Sequence, residues 1–570
     1  MKTHFVTETT PTTVFPCFLC VWIVIGSSTT LLPTAGADEQ PHPAEFCEIH
    51  VIDESTQRGV PMASLTTVDD VTYITDNAGR VALSEPELWG QTVFLRVSSP
   101  GYQCPKDGFG IEGVRLILRP QAIHEIRLKR LQLAERLYRI TGRDLYRDSV
   151  HLGYQAPIQI ASMAGGVLGQ DSVQPVIYGK KLFWFWGDTN RLSYPLGLFR
   201  TAGAVSPLPT DAGLSPHIGI NFQYFTGRDG FARAMVDVSH PEGVVWLHGA
   251  CVAVEKADEG HDRNRMVAQY SRRKSLAEPV EQGIAIWNDE RELFEVATTV
   301  DLQDTWRMIS DHPIVCEPDG RTASTSVAAR SSDRISTSRE QWLMFGNPFP
   351  MTRVRRDVAS VLNRTDYESW TCREELTEEF PSEERLARSL PLRDQNGKLV
   401  WRWARQPPVT QKDEQRWIRS GLMQPAEATL SPIDADQPTR HVVMHSGTVH
   451  WNAHRRKWIL IAIEHAWDKS SPSFLGEVFY SESDTPQGPF MKALKIATHP
   501  GQSFYNPCHH PFFDQDGGRT IFFEGTYCNT FTQSPATPRY NYNQLMYRLQ
   551  LDATRITETF GPAGSASAEN

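Results

Sequence analysis

The chain has 570 residues, 40% hydrophobic and 22% charged, with a formal net charge of −10. That length allows one large domain with a smaller one beside it, and the composition excludes wholesale disorder. The acidic balance argues against a nucleic-acid partner, while fifteen Trp and sixteen Tyr supply core filler and flat surfaces on which sugar rings stack.

Residues 14–25 form an apolar run too short to span a bilayer comfortably, followed by Ala35-Gly36-Ala37 and then Asp38-Glu39. This is the pattern of a secretory signal over residues 1–37, cleaved after Ala37. It predicts a secreted, periplasmic or cell-surface protein with no membrane partner after cleavage. Lys2 is the only Lys or Arg ahead of the apolar run, so an uncleaved anchor is the alternative. Loss of Cys17 and Cys20 leaves seven cysteines, an odd number. Cys47 with Cys104 and Cys508 with Cys528 are the candidate bridges, set against buried inert thiols. Zinc-type Cys/His spacing is absent.

Residues 45–130 read as short strands and turns. Residues 48–53 alternate, 58–61 turn, and 71–81 form a strand, a tight turn at Asp76-Asn77-Ala78-Gly79 and a second strand. The phrase Thr75-Asp76-Asn77-Ala78-Gly79-Arg80 resembles that of the small prealbumin-like β-sandwich known as the carboxypeptidase regulatory-like domain. That resemblance implies a structural spacer or adaptor. Leu and Ile at helical spacing over 130–140 predict a linking helix over 131–155.

Between residues 170 and 550, within a unit placed at 156–558, one phrase returns about five times: a polar-tipped strand, a turn, an apolar strand ending in a polar residue, and a third strand. Its clearest copy is Asp171 to Tyr178, the turn Gly179-Lys180, then Lys181 to Thr189. Repeated antiparallel units of this size predict an all-β fold, a five-bladed β-propeller behind a small sandwich. The third blade's inner strand is placed near Ser324–Ala329. A charged insertion at about 373–438 carries a hairpin at Asn396-Gly397 and the aromatic stretch Trp401-Arg402-Trp403, favouring a rim element. Residues 559–570 read as a flexible tail.

In a propeller all first strands run the same way along the axis. Residues that start first strands and end second strands therefore share one rim. Those residues are Asp171, Asp188, His248, Arg272, Asn347, Glu464, His465, His509, His510 and Glu524, with Trp186 beside Asp188. Trp186-Gly187-Asp188-Thr189 and Tyr480-Ser481-Glu482-Ser483-Asp484-Thr485-Pro486-Gln487-Gly488-Pro489-Phe490 resemble the blade phrases of propeller glycosidases of glycoside hydrolase families 43 and 32. The resemblance implies a carbohydrate substrate, a glycosidic bond cleaved by paired carboxylates and no required cofactor. It implies Asp171 as base or nucleophile, Glu464 as acid with Glu524 as its competitor, and Asp188 as orienting or tuning group. His248, Arg272, Asn347, His465, His509, His510 and Trp186 would bind substrate. Two departures stand out: Ser172 follows Asp171 where the family has Pro, and Asn347 stands where an acid is expected on blade three.

Turn capping by the aspartates, solvent-facing glutamates and packed histidines are the plainer alternatives. Calcium or a transition ion in the channel is a further one, since His and carboxylate donors suit it. A non-catalytic propeller binding glycan or protein is the rival function.

Overall fold

The computed structural model describes residues 45–160, 162–211, 213–240, 242–256, 262–317, 340–466 and 471–564. The proposed signal lies outside them.

The first module is two four-stranded sheets closing on one core. Cys47–Asp53 pairs antiparallel with Arg80–Leu83 and parallel with Ile123–Arg130, while Ser64–Thr66 lies between Thr72–Ile74 and Thr92–Ser98. Along Thr92–Ser98, Leu95 and Val97 are buried and Arg96 and Ser98 exposed, the period of two that faces one side of a strand inward. The inward set meets Ile49, Val51, Leu65 and Leu128. Gly79 takes φ +74°, and a Cβ there would lie 2.5 Å from the Val51 carbonyl oxygen. Only glycine lets the Asp76–Arg80 turn press so closely on the first strand.

Apart from a small three-stranded sheet of Val167–Gln170, Thr189–Arg191 and Tyr194–Leu198, five larger sheets follow in chain order. Their innermost strands are Gln174–Tyr178, Val244–Glu255, Ile314–Cys316, Met444–Asn452 and Ser503–His509. Each sheet is bonded to the next. Leu247 N–H donates to Thr201 Oγ1, Gly249 N–H to the Asp311 carbonyl, Gly447 N–H to Asn347 Oδ1 and His509 N–H to Thr448 Oγ1. Ser172 N–H donates to Thr526 Oγ1, which returns the chain of contacts from the fifth sheet to the first. The five sheets thus form a closed ring.

Several expectations change here. Glu135–Arg139 is a strand, not part of a helix: it pairs with Asn543–Gln550 as the outermost strand of the fifth sheet. All five of its residues are buried, because the first module covers its outer face, so no alternation betrays it. Within 131–155 only Arg147–His151 is helical. The strand that pairs with Trp342–Phe345 is Ile314–Cys316, and residues 324–329 lie outside the described set. The 373–438 segment is knitted into the fold. Arg402–Ala404 extends the third sheet and Ile433–Asp434 the fourth. Arg353 sits 4.1 Å from the ring centres of both Trp342 and Trp403, so these aromatics pack on the third sheet rather than over a site. Thr554–Phe560 is a helix with Ile556 buried, which shortens the expected tail. All seven described cysteines are buried and free, and neither candidate bridge is formed. Among the described residues no helix is long and apolar enough to cross a membrane.

Candidate functional site

The inner strands enclose a cavity of about 90 Å³, lined by residues of all five sheets or of the segments leading into them. Its polar lining includes Ser172, His248, Asp311, His312, Asn347 and Asn506. Three of these non-glycine residues hold left-handed backbone: Ser172 at φ 57°, Asp311 at φ 54° and Asn506 at φ 50°. Such conformations persist only where surrounding bonds fix them, and they cluster at functional sites. Here Asn506 Nδ2 donates to Ser172 Oγ at 2.7 Å and Asn506 N–H to Ser446 Oγ at 3.2 Å.

Asp171 directly precedes Ser172 and stands beside Asp188. Tyr505 donates its hydroxyl to Asp171 Oδ2 at 2.9 Å, and Trp246 donates its indole N–H to Asp188 Oδ1 at 2.8 Å. A Cβ at Gly187 would lie 2.2 Å from Asp171 Oδ1, so the glycine of the Gly-Asp-Thr phrase makes room for that carboxyl. Burial, with the neighbouring Asp188, pushes Asp171 up to about 7. Burial likewise raises Asp188, opposed by the Trp246 bond.

Asp311 was not foreseen. It precedes Ile314–Cys316, accepts from Ser310 Oγ at 2.8 Å and faces His248. Burial drives the carboxyl upward and the imidazole downward. Its sequence signal is Asp311-His312-Pro313 ahead of a short apolar run, masked by the more strand-like stretch that begins ten residues later.

The other expected site residues lie elsewhere. Glu464 is ion-paired to Arg440, which also holds Asp434 at 2.8 Å. Burial raises this carboxyl, the Arg440 guanidinium opposes the rise, and the acid is committed to that ion pair rather than to the cavity. Glu464→Gln is therefore expected to lower stability by about 1–3 kcal/mol, read from urea unfolding, with any hydrolytic activity changed less than about threefold. Glu524 is fully buried and lies 2.9 Å from His510 Nε2. His509 Nε2 lies 2.9 Å from Asp514 Oδ1. Arg272 pairs with Glu281 at 3.2 Å, away from the cavity lining. Trp186 is core, stacked on Tyr224 and edge-on to Phe222. His465 packs edge-on against His445 and Phe474. Of the expected set, His248 and Asn347 line the cavity, and Asp171 adjoins it with Asp188 alongside. Among the described residues no three His, Cys, Asp or Glu side chains converge as metal ligands.

No protein-family model matches the chain, and no curated protein does. Among solved structures it is similar to an exo-beta-1,3-galactanase from Phanerochaete chrysosporium with galactose, at 9% identity over 70% of this chain and 64% of that one, TM-score 0.33. The chain thus spans just under two thirds of that enzyme's length. It is also similar to a GH43_1 enzyme from Xanthomonas citri, at 11% identity over 69% and 91%, TM-score 0.28. A third is an endo-1,5-alpha-L-arabinanase from Thermotoga petrophila, at 8% identity over 71% and 78%, TM-score 0.28.

Proposed function

We propose that the chain is a glycoside hydrolase-like, five-bladed β-propeller that cleaves a glycosidic bond at the mouth of the axial cavity. Its first module is a carboxypeptidase regulatory-like sandwich, and the protein is secreted after cleavage behind Ala37, which N-terminal sequencing of exported protein tests. The observation that carries the reading is Asp171: a half-buried carboxyl beside the cavity, raised to about 7 with Asp188 at its side. A general acid for a glycosidic oxygen must hold its proton near neutral pH, and this environment supplies that condition. Asp171 therefore takes the role of acid rather than base, with Asp188 tuning it. Asp311 with His248, on the cavity wall between the second and third sheets, is the pair suited to accept a proton from water. Asn347, Asn506 and Ser172 offer the donors and acceptors that sugar hydroxyls require.

A panel of aryl-glycosides and polysaccharides assayed with native protein, Asp171→Asn and Asp311→Asn tests this. Hydrolysis by the native protein, lost in both variants, is the expected result; cleavage surviving in Asp171→Asn overturns the acid assignment. One feature favours the binding alternative: Phe531 is 55% exposed and packs edge-on against Tyr505, a surface for stacking a sugar ring. Retention of a polysaccharide in affinity electrophoresis, with no cleavage of any substrate, would select that alternative.

A further inference from the structure

Behind the cavity wall lies a line of polar groups that the proposed hydrolysis does not use. Glu524 Oε1 is 2.9 Å from His510 Nε2. His510 Nδ1 is 3.8 Å from Cys508 Sγ, and Cys508 Sγ is 3.6 Å from His312 Nδ1. His312 itself lines the cavity, and no hydrogen bond joins its Nε2 to any described residue. Cys508, His510 and Glu524 are each no more than 1% exposed, so the line runs from dry interior to the cavity.

Its direction follows from one orphan atom. Glu524 Oε2 is buried without a hydrogen-bond partner. Burial pushes this carboxyl far above the usual range, so it carries a proton. A buried O–H left without an acceptor is costlier than a buried carbonyl oxygen left without a donor. The proton therefore sits on Oε1 and is donated to His510 Nε2. Burial lowers both His510 and His312 to about 3, so each ring is neutral with one N–H. His510 must then carry its proton on Nδ1 and offer it to Cys508 Sγ. The thiol, raised by burial and protonated, offers its own hydrogen to His312 Nδ1. The His509 carbonyl, 3.8 Å from Sγ, is the longer competing acceptor. With Nδ1 accepting, the His312 proton resides on Nε2.

We propose that the line Glu524, His510, Cys508 fixes His312 as an Nε2–H donor facing the axial cavity, making Glu524 and Cys508 positioning residues and His312 a ligand-binding one. On the carbohydrate reading above, on which this last step rests, the acceptor is a sugar hydroxyl or ring oxygen. The line also explains why a glutamate sits in the middle of the fully buried strand Thr520–Cys528: it sets a tautomer at a distance.

Nitrogen-15 NMR of histidine-labelled full-length protein, with His312 assigned through His312→Gln, reads the tautomer directly and needs no ligand. The native protein is expected to favour Nε2–H over Nδ1–H by about tenfold or more, and Cys508→Ala to bring the two within about threefold. Cys508→Ser and Glu524→Gln each keep a donor in the line and are expected to restore the native ratio. An Nδ1–H tautomer in the native protein, or a ratio unmoved in folded Cys508→Ala, overturns the proposal. A fixed Nε2–H tautomer in a protein that binds no polysaccharide supports the relay and counts against the carbohydrate reading alone.

Discussion

Asp171→Asn is expected to abolish glycoside hydrolysis and, at the same time, to make the protein more stable at neutral and alkaline pH. The two effects share one cause. The folded carboxyl titrates at about 7 against 3.8 in an unperturbed chain, because burial and Asp188 disfavour its charge. Between those values the folded protein keeps a proton that the unfolded chain releases. The stability this group contributes is complete below pH 3.8 and declines until the pH passes about 7. At about 1.36 kcal/mol per pH unit the full loss reaches about 4 kcal/mol.

Asparagine has no proton to lose, and its amide oxygen still accepts from Tyr505. The variant should therefore match the native protein near pH 4 and exceed it by about 2–4 kcal/mol at pH 8, with hydrolysis reduced by about 10²- to 10⁴-fold. Urea unfolding at pH 4, 6 and 8 beside an activity assay reads both. A variant destabilised equally at every pH would show Asp171 to be a turn cap and remove the acid from the proposed mechanism.

The rule that strand starts and ends share a rim brought Asp171, Asp188, His248 and Asn347 to one place because it needs only strand direction. It misplaced Glu464 and Glu524 because direction does not say what a side chain meets. The partner of Glu464 is Arg440, 24 residues away just past the segment read as an insertion, and that of Glu524 is His510 across a strand pair. Long apolar strands with glycine turns, such as Lys181–Trp186 after Gly179-Lys180, announce themselves. Ile314–Cys316 has three residues and little pattern, and its loss concealed Asp311 beside it. Glu135–Arg139 failed differently: a strand buried on both faces has no period of two, and its Leu and Ile spacing then imitates a helix.

That strand also carries the largest stability effect outside the site. Its backbone belongs to the fifth sheet, yet its side chains are held by the first module. Arg136 is 1% exposed and donates from Nε to the Pro61 carbonyl, from Nη1 to the Pro100 carbonyl and from Nη2 to Ser99 Oγ, at 3.1, 3.1 and 2.7 Å. Asn77 bonds the strand's open edge twice, its amide donating to the Arg139 carbonyl and its oxygen accepting from Arg139 N–H, both at 2.9 Å. It does for that edge what a neighbouring strand would do, so the first module covers a strand end that would otherwise be free to pair. Arg136→Met keeps the volume and leaves two carbonyls and a hydroxyl buried without donors. The expected loss is about 3 kcal/mol or more, at the destabilising end for single substitutions. Because the module and the ring share this strand, calorimetry should show one cooperative transition moving as a whole. Two resolved transitions, with only the smaller displaced by Arg136→Met, would mean that the sandwich is a separable appendage and that the ring closes without it.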